Sequence, residues 1–148
     1  MATAEATAQK VQRMLMSEFG DVRLRRNGGF AIDYGTTACF ISVVEWGTDK
    51  EGNPQSLVQV QAPIGRDVRP TPDLYKWIVT EAQRVVFGRV DVLEQEDGKA
   101  LLLFEHTILG DFLDSAELVA AVLAVTFTAD RLDEVVTERF GGKRYVDQ

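Results

Sequence analysis

The stretch that most constrains the fold runs from Asp114 to Gly142. Leu118, Val122, Val125, Ala129, Leu132, Val136 and Phe140 recur at spacings of three and four residues, which puts them on one face of a helix. Asp114 and Glu117 have the spacing of a capping box at its start, and Gly141 and Gly142 stop it. Val119, Leu123 and Phe127 form a second apolar row beside the first. That is more apolar surface than one face of a sheet needs. The helix is therefore expected either to be deeply packed or to meet a second subunit.

The rest of the chain supplies a layer for that helix. Ala4, Ala8, Val11, Leu15 and Phe19 give a first helix, widened by Met14 and ended by Gly20. Strands are expected over 22–25, 30–34, 36–46 and 57–62, separated by the Asn27-Gly28-Gly29 turn, Gly35 and the polar loop 47–54. Residues 63–70 read as a connector. Thr71 looks like an N-cap with Pro72 and Asp73 in the first turn, and Leu74, Ile78, Ala82 and Val85 carry the helix on to Gly88, with Tyr75, Trp77, Val79 and Val86 alongside. Strands 90–95 and 100–107 flank the Asp97-Gly98 hairpin signal. The unbroken run from Leu101 to Phe104 predicts burial on both faces, and 108–113 a loop. Short turns between successive strands predict an antiparallel sheet. The expectation is one α+β domain over 1–148, with the order helix, strands, helix, two strands, helix.

Charge and cysteine content narrow the function classes. Nucleic-acid binding needs Lys and Arg to neutralise phosphates, and a chain of net charge −7 is poorly suited to that or to an anionic membrane. The basic run Arg23-Leu24-Arg25-Arg26 is short enough to read as a solvated strand end. One cysteine makes no intrachain disulfide, residues 1–10 lack a signal-peptide core, and the apolar run 118–127 is too short to span a bilayer. A cytoplasmic, soluble protein is expected.

Chemistry-bearing patterns are sparse. His106 is the sole histidine and has no recognisable nucleophile and acid beside it, so it reads as a strand-end or hydrogen-bonded core residue. Cys39 lies mid-strand among apolar residues and reads as a small hydrophobe. Glu94, Glu96 and Asp97 crowd one hairpin without the spacing of a calcium loop. Gly28-Gly29 precedes a strand, the wrong context for a phosphate cradle. No catalytic residue, metal site or cofactor is expected. Phe40, Val44 and Trp46 alternate against Cys39, Ile41 and Val43. If helices cover the Ile41 face, the aromatic row lies on the other one. There it is covered by the middle helix or serves as a dimer or client-docking surface.

The stretch Gly29-Phe30-Ala31-Ile32-Asp33-Tyr34-Gly35-Thr36-Thr37-Ala38-Cys39-Phe40-Ile41-Ser42-Val43 resembles the strand pair of the YbjN-type proteins, grouped with type III secretion chaperones as peptide-binding TY-chaperone domains. The helix start Arg69-Pro70-Thr71-Pro72-Asp73-Leu74-Tyr75, the junction Phe87-Gly88-Arg89 and the ending from Leu132 to Gly142 are similar too. The polar hairpin 47–54 and Gln83-Arg84-Val85 depart from the family pattern. The resemblance implies a secretion-chaperone-like fold in a bacterial protein, often dimeric, that binds polypeptide without catalysis. Taken with the residue-level reading, it makes the chain a non-catalytic module for a polypeptide client or partner protein, and a homodimer. Phe40, Val44, Trp46 and Trp77 are the expected peptide or dimer contacts. The alternative is a regulatory domain holding a small ligand in a pocket between sheet and helices.

Overall fold

The computed structural model describes residues 4–35, 37–85 and 87–145. Thr36 and Val86, assigned above to a strand and to the middle helix, lie outside the described residues. The element order is α1 (Ala4–Phe19), β1 (Arg23–Leu24), β2 (Phe30–Tyr34), β3 (Thr37–Thr48), β4 (Pro54–Val68), α2 (Pro72–Val79), β5 (Arg89–Glu94), β6 (Ala100–Leu109) and α3 (Ser115–Phe140). The strands form one antiparallel sheet in the order β1-β2-β3-β4-β6-β5. The fold is α+β, as the sequence predicts.

Local chemistry sets the helix ends. Asp114 Oδ1 accepts from the Glu117 backbone N–H at 2.8 Å, and Thr71 Oγ1 accepts from that of Leu74 at 3.2 Å. The middle helix is shorter than its apolar stripe suggests: it ends at Val79, not at Gly88. Thr80 donates its side-chain hydroxyl to the Lys76 carbonyl, the Ala82 N–H reaches back five residues to Trp77, and the Gln83 amide closes on the Ile78 carbonyl. These bonds satisfy the last turn and convert the remainder into turns. Ala82 is nevertheless buried, and Val85 packs on the core. The stripe is real, but it outlives the helix.

β4 is longer than expected and absorbs most of the stretch read as a connector. Pro63 has no N–H for the ladder, and the chain accommodates it with register shifts between Pro63 and Gly65 and again between Gly65 and Val68. Gly65 has a packing reason to lack a side chain: a Cβ there would lie 2.9 Å from the Val136 side chain of α3.

The helices share one face of the sheet. Cross-strand partners point to the same side, so Ile41, Val60 and their neighbours Phe30, Ile32, Cys39, Val58, Ala62 and Phe104 form the wall on which Val11, Leu15, Leu118, Val122, Val125 and Val136 pack. α2 joins that layer through the Trp77 ring, 5.5 Å from that of Phe140. α1 is pinned by a buried hydroxyl pair, Thr7 Oγ1 to Ser56 Oγ at 2.8 Å, and by Lys10 Nζ donating to the carbonyls of Gly110 and Asp111.

Candidate binding face

The other face of the sheet carries no helix among the described residues. Strand registers define its rows. Ala31, Phe40, Gln61, Glu105 and Arg89 run side by side across five strands. Ser42, Gln59 and Thr107 form the next row, and Val44, Leu57 and Leu109 the one beyond. In the opposite direction lie Pro63, Leu103 and Asp91, then Leu101 and Leu93.

Of the four expected contacts, the structure places two squarely on this face. Phe40 is half-buried and Val44 is 38% exposed. Trp46, 56% exposed, is the extra residue where the β3–β4 register shifts between Glu45 and Gly47, at the far end of the same strand. Trp77 stands apart from them: it is 4% exposed, in the helix layer against Phe140. Its surface is spent on packing because α2 turns it inward with Leu74 and Ile78. The middle helix does not cover the aromatic row.

Two hollows flank the central row. One, of about 400 Å³, has an apolar floor of Phe40, Pro63, Leu101 and Leu103. Arg25 and Tyr145 wall it: the Arg25 guanidinium carbon sits 4.5 Å from the centre of the Phe40 ring, and Tyr145 meets that ring edge-on at 6.3 Å. The other, of about 430 Å³, is bordered by Leu57, Gln59, Arg89, Glu105 and Thr107. Glu105 is 3% exposed yet lies on the helix-free side. It accepts from Arg89 Nε at 2.6 Å and from the Gln61 amide at 2.7 Å. The hydrogen bond to Glu105 is the largest influence raising the Arg89 pKa above its usual value.

The remaining chemical candidates have structural roles. Cys39 is fully buried beneath α3, and burial pushes its thiol pKa up to about 12, partly offset by the Thr126 hydroxyl. His106 is half-buried with its ring 5.0 Å from Phe87, and burial holds its pKa below the usual value. In the acidic hairpin, Glu94 accepts from the Tyr75 hydroxyl, and Asp97 Oδ1 accepts from the Lys99 N–H at 2.9 Å. Arg23, read as solvated, pairs with Asp33 at 2.7 Å.

Comparison with known proteins places this α+β arrangement in a known family. The family profile described as T3SS (YopN, CesT) and YbjN peptide-binding chaperone 1 matches residues 5–148. The chain belongs to this TY-chaperone family. The crystal structure of YbjN from E. coli superposes with a TM-score of 0.62 over 89% of this chain and 93% of that one, at 9% identity, which shows a shared fold. No match was found among curated proteins. The TY-chaperone assignment agrees with the resemblance read from residues 29–43 and the double glycine. No helix among the described residues is long and apolar enough to cross a membrane.

Sequence reasoning missed Tyr145, Arg25 and Glu105 as parts of this face. A terminal tyrosine gives no periodic signal. Arg25 looks like any charged strand end. Glu105 was legible only as the one acid in an apolar strand.

Proposed function

We propose that the chain binds polypeptide segments of a partner protein on the helix-free face of its sheet, as a non-catalytic chaperone-like module working in the cytoplasm. The observation that carries this reading is the half-buried Phe40 at the hollow of Pro63, Leu101 and Leu103, with exposed Val44, Leu109 and Leu93 further out on the same helix-free face. Aromatic and aliphatic side chains in a shallow hollow, edged by Arg25 and polar Asp67 and Gln95, suit a peptide that brings its own apolar residues. The family description, peptide-binding chaperone, supports the same class of ligand. Phe40, Val44 and Trp46 are the proposed contacts, and Trp77, packed against Phe140 in the helix layer, is left out of them.

We read the module as a homodimer as well. Large apolar side chains remain exposed outside the sheet: Phe112 in the loop before α3, and Phe127 of α3 beside Tyr34 with ring centres 5.9 Å apart. A second copy of the chain would cover them.

The test uses a permanently unfolded polypeptide, reduced and carboxymethylated lactalbumin, as the probe. Anisotropy should report binding to the unaltered chain and a loss of about tenfold or more in Phe40→Ser and Trp46→Ser. Equal binding by folded variants would remove the face from the proposal.

A further inference from the structure

One wall of the hollow over Phe40 is built by Tyr145, beyond the end of α3. After α3, the chain turns at Gly141 and Gly142, both at positive φ. A Cβ on Gly142 would sit 2.5 Å from the Arg66 carbonyl oxygen, so only glycine lets the chain approach β4 this closely. Residue 143 then pairs with β4 as an antiparallel bridge: Lys143 N donates to Arg66 O and Arg66 N donates to Lys143 O, each at 2.8 Å. β3 pairs with β4 from Gln61 downward in residue number, which leaves the β4 edge near Arg66 available for this bridge. Arg144 points back to α3, its Nε 3.3 Å from Asp133 Oδ1. Tyr145 lays its ring against Phe40. Lys143 is the one bridged residue of the described segment; Arg144 then turns to α3, and Tyr145, in a turn, puts an aromatic ring at the wall of the hollow.

We infer that residues 143–145 are a resident strap that stands where a client segment would lie. The groove therefore takes a peptide that pairs one residue with the β4 edge at Arg66 and sets an aromatic side chain, two residues on, against Phe40. This inference rests on the peptide-binding reading and names the class of peptide. A client must displace the strap, and a tethered competitor weakens every free peptide by its high effective concentration.

The full-length chain, the Lys143→Pro variant, which lacks the N–H given to Arg66, and the Tyr145→Ala variant are compared. The probe is a fluorescein-labelled peptide of sequence Gly-Gly-Lys-Arg-Tyr-Val-Asp-Gln, identical to residues 141–148. Both variants should bind it about tenfold or more tightly than the unaltered chain, as expected when a tethered competitor is released. The peptide with alanine in place of tyrosine should not bind, and amide shifts should centre on Phe40, Arg66 and Leu103. Equal affinity in all three proteins, including none, overturns the strap, as does a shift pattern elsewhere. If Lys143→Pro does not fold, Tyr145→Ala alone decides. Retained, Phe40-dependent binding of carboxymethylated lactalbumin that ignores both substitutions removes the strap and leaves the peptide-binding reading standing. Loss of both signals removes both.

Discussion

Glu105 shows how much a single side chain can require of its neighbours. A carboxylate with almost no exposed surface needs compensation, and Arg89 and Gln61 supply it. Arg89→Ala should cost about 1–3 kcal/mol in urea unfolding, because it strands a buried acceptor. Glu105→Gln, which keeps the shape and needs no cation, should cost less than Arg89→Ala. The reverse order would mean that the pair is not what satisfies the site. Cys39 makes a second residue-level prediction. With a pKa near 12 and no exposed surface, its thiol should ignore aromatic disulfide reagents in the native protein and react fully in denaturant. His106 gives a pH dependence. Burial depresses its folded-state pKa, so the unfolded chain takes up a proton near pH ~6.5 while the folded chain waits for lower pH. Its contribution is complete above that value and is withdrawn as pH falls below it. The urea midpoint should therefore drop on acidification through that range, and His106→Gln should drop less.

Among the elements, the ones with strong local grammar were legible in advance. α3 declared itself through Asp114, the stripe from Leu118 to Phe140 and the glycines after it. Asp114→Ala should cost about 1 kcal/mol and lower Tm by roughly 2–5 °C, and an unchanged Tm would mean packing alone holds the first turn. What the sequence did not reveal depends on partners far along the chain. Pro63 reads as a strand breaker until β6 is seen to tolerate two register shifts beside it. The α2 stripe runs to Val85, but Thr80 and Gln83 spend hydrogen bonds on the last helical carbonyls and end the helix early. Trp77 was placed among the contacts, but Phe140, far along the chain, takes its surface. Phe40 and Val44 were read on the correct side because alternation along β3 is strictly local, and Tyr145 was invisible because its neighbour in space is about a hundred positions away.

For the molecule as a whole, exposed Phe112 and Phe127 point to self-association. Light scattering should give about twice the 16.5 kDa chain mass at tens of micromolar, and Phe127→Ser should shift it toward the single-chain value. A dimer held by these apolar side chains should survive added salt, in contrast to a surface held by charge. A mass of one chain at every concentration removes the dimer.

β4 lies at the centre of the sheet, flanked by β3 and β6, and α3 covers it. The chain order makes this arrangement slow to complete during synthesis. Residues 54–68 leave the ribosome well before Ala100–Leu109 can pair with them, and before Ser115–Phe140 can shield them. Until then the central strand of the sheet has one free edge and an inner side that α3 does not yet cover. A nascent chain of this design should need holding by a trigger-type helper through most of its translation, and a stall placed before residue 115 should leave it sensitive to protease at β4.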